Sequence, residues 1–79
     1  MTHVYVVRFI DSIHNTSEIR GVYTSVKKAY YSIQDLELNW KSSYSTVALN
    51  LREENRWWSL ISGGIIQIEK ASLNVPQVH

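Results

Sequence analysis

Cysteine is absent from the 79 residues of this chain. The absence excludes disulfide bonds, thiolate catalysis and cysteine-bound zinc. Small secreted domains usually depend on disulfides, so a chain without them fits a reducing compartment. The amino terminus also lacks a basic stretch followed by an apolar core, which is the pattern of a signal peptide. We therefore expect a cytoplasmic protein.

Long apolar runs and an excess of one charge are also missing. No run approaches the ~20 apolar residues that span a bilayer, so we expect no membrane partner. Eight basic and seven acidic side chains leave a net charge of +1, which gives no long-range field for nucleic acid. The 44% hydrophobic and 19% charged residues are typical of a folded protein. The length predicts a single domain over 1–79, with a flexible tail over 74–79.

Glycine is scarce, and its three positions are informative. Gly63 and Gly64 are adjacent, and paired glycines are typical of a tight hairpin turn of the primed type. Gly21 lies within a strand-like stretch, where glycine often marks a β-bulge or a close backbone approach.

The residues that are abundant predict strands around one helix. The β-branched and aromatic residues of His3–Ile10 predict a first strand, apolar on both faces, followed by a loop over 11–17 and a second strand, Glu18–Tyr23. Thr24 or Ser25 then caps an amphipathic helix that continues to about Leu38. Its apolar stripe comprises Val26, Ala29, Tyr30, Ile33, Leu36 and Trp40.

Three further strands are predicted in the second half of the chain. Val47, Leu49 and Leu51 alternate with less apolar residues, which indicates a strand over Tyr44–Leu51. A charged turn over 52–56 separates it from strands at Trp57–Ile61 and Ile65–Leu73. The predicted fold is α+β, a two-layer ββαβββ arrangement with a small antiparallel sheet and one amphipathic helix packed on one face.

Two segments resemble a loose group of small, uncharacterised phage and bacterial proteins. The segments are Val4-Tyr5-Val6-Val7-Arg8-Phe9 and Gly21-Val22-Tyr23-Thr24-Ser25, the latter followed by Lys28-Ala29. In that group a strand ends in Gly-Val-Phe/Tyr and a Ser/Thr pair caps the helix that follows. The resemblance covers about the first half of the chain. It implies a phage-type origin, and hence a host-cell cytoplasm, but no activity.

No residue pattern predicts catalysis or metal binding. His3, His14 and His79 are far apart in the sequence, without the spacing that fixed metal ligands need. No serine lies in a nucleophile elbow, and Gly63-Gly64 joins two strands instead of opening a phosphate-binding helix. We therefore expect no enzyme activity, no catalytic residue, no metal and no cofactor.

The Trp57-Trp58 pair is the one feature that suggests a binding surface. Neighbours on a strand point to opposite faces, so one indole faces the helix and the other faces away. An outward tryptophan beside apolar side chains of the first strand makes a patch of the kind that marks interfaces. Lys27 and Lys28 lie at the positive end of the helix dipole, where cations are mildly unfavourable, so contact with an acidic partner is a second hypothesis. The predicted partner-binding residues are Trp57, Trp58, Val4, Val6, Arg8, Lys27 and Lys28.

These observations favour a small non-enzymatic protein-binding module. With the phage resemblance, its partner would be a host or defence protein that it inhibits or modulates. One helix cannot cover both faces of the sheet, so we also expect a two-fold homodimer through the bare face. The alternative is a single-stranded nucleic-acid-binding protein. Its stacking platform would be Tyr5, Phe9, Trp57 and Trp58, with phosphate contacts from Arg8, Arg20, Arg52 and Arg56.

Overall fold

The computed structural model describes residues 3–34 and 43–72. They form a four-stranded antiparallel sheet with strand order β2-β1-β4-β3, and two helices pack on one face. The α+β class is confirmed, but the element order is ββααββ instead of ββαβββ. The predicted positions Leu36, Leu38, Trp40 and Leu73 and the tail 74–79 lie outside the described residues. The elements are β1 (His3–Asp11), β2 (Thr16–Tyr23), α1 (Val26–Ile33), α2 (Tyr44–Glu54), β3 (Arg56–Ile61) and β4 (Gly64–Ser72).

The predicted strand over Tyr44–Leu51 is wrong, because this segment is the helix α2. Val47 and Leu51 are buried, while Leu49 between them is 45% exposed. Burial four residues apart follows the helical period of 3.6, not the strand period of 2. The Ser43 side chain caps the helix by accepting a hydrogen bond from the Thr46 N–H at 3.2 Å.

The predicted charged turn over 52–56 is also wrong, since most of it is the last turn of α2. Helix α2 ends at Glu54 and is capped by Asn55, whose φ of 64° places it in the left-handed region that asparagine tolerates. A single residue thus separates the helix from β3. The meander predicted for three consecutive strands is replaced by one hairpin, β3–β4, in which β4 also pairs with β1.

Helix α1 begins as predicted. The Ser25 hydroxyl accepts a hydrogen bond from the Lys28 N–H at 3.2 Å, so Ser25 is the capping residue. Ala29, Tyr30 and Ile33 are buried, which confirms the predicted apolar stripe over the described part of the helix. They join Val47 and Leu51 of α2 against the sheet. The sheet contributes Val7, Trp57, Ile66 and Ile68 to the same core.

The β1–β2 hairpin is tighter than predicted, because its loop spans only residues 12–15. Asp11 Oδ1 accepts hydrogen bonds from the N–H groups of Ile13 at 2.9 Å and His14 at 3.1 Å, and Asn15 adopts a φ of 54°. The register of β1 against β2 shifts between Val7 and Arg8, next to Gly21. This bulge is the feature that glycine in a strand predicted.

The β3–β4 turn contains the predicted glycines but is not primed. Ile61 pairs with Gly64, so Ser62 and Gly63 are the central residues. Gly63 has a φ of 85°, which confirms positive φ at one of the two glycines. A primed turn needs positive φ at the first central residue. Ser62 does not have it, since among the described non-glycine residues only Asn15 and Asn55 do.

Candidate protein-binding face

The sheet has one face covered by the helices and one face that they leave uncovered. Successive side chains of a strand point to opposite faces of the sheet. Val7 of β1 is buried beneath the helices, so the residues before and after it point to the uncovered face. We call this surface the open face. The register aligns its side chains in rows across the sheet, in the order β2, β1, β4, β3. The first row is Val22, Val6, Glu69 and Arg56, and the second is Ile19, Arg8, Gln67 and Trp58. The third row is Ser17, Ile10, Ile65 and Leu60. Val4 and Ala71 pair with each other beyond Val6 and Glu69.

The most exposed apolar side chains of the open face lie on the two edge strands. Trp58 is 55% exposed and Leu60 70% on β3, while Ile19 is 59% exposed and Val22 55% on β2. Val6, Ile10 and Ile65 on the central strands are half-buried between them. Clusters of exposed apolar side chains of this kind mark interaction surfaces.

The few polar groups of the open face have mixed charge. Arg8 is half-buried in the middle row, directly opposite Gln67 of β4. Glu69 and Arg56 are neighbours in the next row, and both are exposed. The open face therefore carries two arginines and one glutamate among mainly apolar side chains.

The structure brings together four of the seven predicted partner-binding residues. Val4, Val6, Arg8 and Trp58 share the open face. Trp57 does not belong with them, because it is only 5% exposed and packs in the core beneath the helices. The structure thus decides which tryptophan faces outward.

The two predicted lysines also lie away from the open face. Lys27 and Lys28 are exposed in the first turn of α1, on the side of the sheet that carries the helices. A partner seated on the open face would therefore not contact them.

Several residues of the open face were missed in the sequence. Ile65 and Leu60 follow from strand alternation once the strand pairing is known. Ile19 is different, because simple alternation places it on the same face as Gly21. The bulge removes one residue from the alternation, so Ile19 pairs with Arg8 and turns to the open face. Gly21 is the one signal in the sequence for the position of this bulge.

Two concave regions also lie among the described residues. A groove of about 370 Å³ lies between α2 and β3, lined by Asn50, Glu54, Arg56, Trp57 and Trp58. A second cavity of about 260 Å³ lies beside the β1–β2 hairpin. In residues 3–34 and 43–72 no group of three histidine, aspartate or glutamate side chains is placed to hold a metal ion.

The Asp11–His14 pair lies in the β1–β2 hairpin loop. His14 Nδ1 lies 2.8 Å from Asp11 Oδ2. This side-chain hydrogen bond, followed by the one from the His14 N–H, lowers the pKa of Asp11 below its ordinary value of 3.8. The stabilisation from the Asp11 carboxylate is therefore present above pH 3.8 and is lost as the pH falls through the lowered pKa.

Comparison of the chain with protein-family models, with curated proteins and with solved structures finds no match. Within the part of the chain that the structure describes, no helix has the length and apolarity needed to cross a membrane.

Proposed function

We propose that this chain is a small, non-enzymatic protein-binding module that contacts its partner through the open face. The observation that supports this most directly is the 55% exposure of Trp58 beside Leu60, on a sheet face that neither helix covers. Tryptophan is enriched among the residues that dominate binding energy at interfaces. An exposed indole next to the exposed Leu60 side chain is a suitable anchor for such an interface.

The size of the open face favours a modest, transient interface. Its longest strands have nine residues, and at ~3.3 Å per residue they extend about 30 Å. Four strands ~4.8 Å apart span about 19 Å, so the flat footprint is at most about 570 Å². A stable complex of standard size buries ~800 Å² on each partner. An interface confined to the open face would therefore be modest in size, whether the partner is a second copy or another protein.

The resemblance to small phage proteins suggests the class of partner. On that basis the module would act in the cytoplasm of a host cell, by covering a surface of a host or defence protein. It would need no cofactor, because occupying a surface requires no chemistry. This part of the proposal depends on the resemblance, whereas the use of the open face depends on the structure.

The nucleic-acid alternative is less well supported by the geometry. Of its four proposed stacking residues, Tyr5, Phe9 and Trp57 face the helices and pack in or against the core. Trp58 alone lies on the open face, near Arg8 and Arg56. A platform for single strands needs several successive stacking surfaces along a basic groove.

The experiment compares capture by three immobilised proteins: the natural chain, Trp58→Ala and Leu49→Ala. Leu49 is the matched control, because it is a 45% exposed apolar residue on α2, away from the open face. Host lysate is applied with and without nuclease, and each captured protein is purified and its Kd for all three variants is measured.

We expect the Kd of the true partner to rise about tenfold or more for Trp58→Ala, a loss of at least ~1.4 kcal/mol, and to stay unchanged for Leu49→Ala. Equal binding by all three proteins would contradict the proposal. Capture that nuclease abolishes, or that weakens steeply with added salt, would favour the nucleic-acid alternative.

A further inference from the structure

We propose that the free edge of β3 pairs antiparallel with β3 of a second copy of the chain. The two four-stranded sheets would then form one eight-stranded sheet across a two-fold axis. This inference uses the edge of the sheet, so it is independent of the proposed function, which uses the open face. It also differs from a dimer through the open face, because main-chain groups form the contact.

The register shows which main-chain groups of β3 face the free edge. The Lys70 N–H donates to the Asn55 carbonyl at 2.8 Å, so these opposed residues form a hydrogen-bonded pair at the start of the β3–β4 ladder. Hydrogen-bonded and non-bonded pairs alternate along an antiparallel ladder. Trp57, Ser59 and Ile61 therefore bond to β4. The N–H and C=O groups of Arg56, Trp58 and Leu60 point away from the sheet, six groups in all.

The edge of β3 carries few of the features that prevent strand pairing. Protein edges are usually protected by lysine, proline, bulges or inward-pointing charges. The β2 edge has such features, with its bulge and the Arg20–Glu18 ion pair at 2.7 Å. Strand β3 runs Arg-Trp-Trp-Ser-Leu-Ile with an unbroken register against β4, and its single charge is at its first residue. Of the two sheet edges in residues 3–34 and 43–72, β3 is the one suited to pairing.

One register uses all six free groups. An antiparallel two-fold pair in which Trp58 lies opposite Trp58 of the second copy also sets each Arg56 opposite Leu60 of the other copy. All six outward-facing N–H and C=O groups of each β3 then have partners. If the register shifts by two residues in either direction, either Arg56 or Leu60 extends past the end of the partner's β3. The outward N–H and C=O groups of that residue then have no partner. The favoured register also places two exposed indoles side by side, and aromatic cross-strand pairs are stabilising.

The surroundings of β3 are compatible with this arrangement. No charged side chain lies opposite a like charge, because each Arg56 faces a leucine. The carbonyl of Leu60 accepts only a long contact from the Ser59 hydroxyl, at 3.4 Å, and retains a second lone pair. On the helix side, the groove of about 370 Å³ between α2 and β3 leaves room for side chains of the second copy.

The test uses opposite charges at the position that the two-fold axis pairs with itself. Trp58→Lys alone and Trp58→Glu alone place like charges directly opposite each other, so each variant should be monomeric. An equimolar mixture places Lys opposite Glu and should restore the dimer. Leu49→Lys and Leu49→Glu are the matched controls, exposed on α2, and should dimerise as the natural chain does. Far-UV circular dichroism establishes that each variant is folded, and sedimentation equilibrium measures its mass against the 9.2 kDa of one chain.

Amide hydrogen exchange of the natural chain provides a second measurement that does not depend on a substitution. Raising the protein concentration should protect the N–H groups of Arg56, Trp58 and Leu60. It should leave those of Trp57 and Ser59, which already bond to β4, unchanged. The inference is overturned if the natural chain is a 9.2 kDa monomer at every concentration or forms assemblies larger than a dimer. It is also overturned if the natural chain dimerises but the mixture of charged variants stays monomeric.

Discussion

At the scale of single residues, two adjacent glycines are required for different physical reasons. Gly63 has a φ of 85°, and a Cβ placed there would meet nothing within 4 Å. Its requirement comes from the backbone, because residues with a Cβ are strained in the left-handed region. Gly64 is buried with ordinary φ, but a Cβ there would lie 2.0 Å from the carbonyl oxygen of Ile10. Its requirement comes from the close approach of β1.

We therefore expect Gly64→Ala to destabilise the protein more than Gly63→Ala. The cost at Gly63 should be about 1–2 kcal/mol, the usual penalty for a Cβ in the left-handed region. At Gly64 the β1 backbone itself must move to make room. Thermal or urea unfolding measures the loss of stability in both alanine variants. Gly63→Asn is the control, and it should cost less than Gly63→Ala because asparagine tolerates positive φ. A smaller loss at Gly64 than at Gly63 would show that β1 does not approach this position closely.

At the scale of elements, helix α2 shows how tertiary packing selects between two periodic patterns. Val47, Leu49 and Leu51 alternate as a strand does, yet only the first and third are buried. The helix stays amphipathic because Val47 and Leu51 are one turn apart and both face the sheet. The capping serine before it and the left-handed Asn55 after it fit the same assignment.

The two leucines of α2 distinguish helix from strand in solution. Leu51 is 1% exposed, so Leu51→Ala should cost about 2–5 kcal/mol. Leu49→Ala, at a residue that is 45% exposed, should change the free energy of unfolding by no more than ~0.5 kcal/mol. Urea titration of the two variants checks the difference. Equal losses would indicate that both side chains are buried on one face, as in a strand.

At the scale of the whole molecule, residues 3–34 and 43–72 form a sheet with both helices on one side. Both central strands, β1 and β4, are paired along both edges, whereas β2 and β3 are each paired along one. The single core lies between the helices and the covered face, and includes Val7, Ile66 and Ile68. Local opening of the sheet is therefore expected to begin at the unpaired edges of β2 and β3.

Hydrogen exchange at low protein concentration should be slow in the central strands β1 and β4 and faster at the unpaired edges of β2 and β3. The amides of Val7 and Ile68 lie in central strands and bond to a neighbouring strand, so they should exchange only through global unfolding. The edge-facing amide of Trp58 should exchange much faster, while that of its neighbour Trp57 is protected by β4. Slow exchange at Trp58 in a verified monomer would mean that another segment of the chain covers the β3 edge.

Local patterns in the sequence were sufficient for much of this structure. The strand residues of β1, β3 and β4, the Ser25 cap, the apolar stripe of α1 and a positive φ at the glycine turn all depend on near neighbours. The α+β class follows from these elements together. An outward tryptophan on the same face as Val4, Val6 and Arg8 was likewise predicted by strand alternation, although not which of the two tryptophans it was.

Only tertiary structure decided the rest, because burial and strand pairing depend on residues distant in the sequence. The alternation of apolar residues within Tyr44–Leu51 is compatible with a strand. The segment is a helix because Val47 and Leu51, four residues apart, are buried in the core while Leu49 is exposed. The face that Ile19 occupies depends on a bulge in the pairing of β1 with β2. The placement of Trp57 in the core and Trp58 on the open face depends on where α2 packs. These outcomes depend on which apolar side chains from distant segments are buried together in one core, and no local window of sequence contains that information.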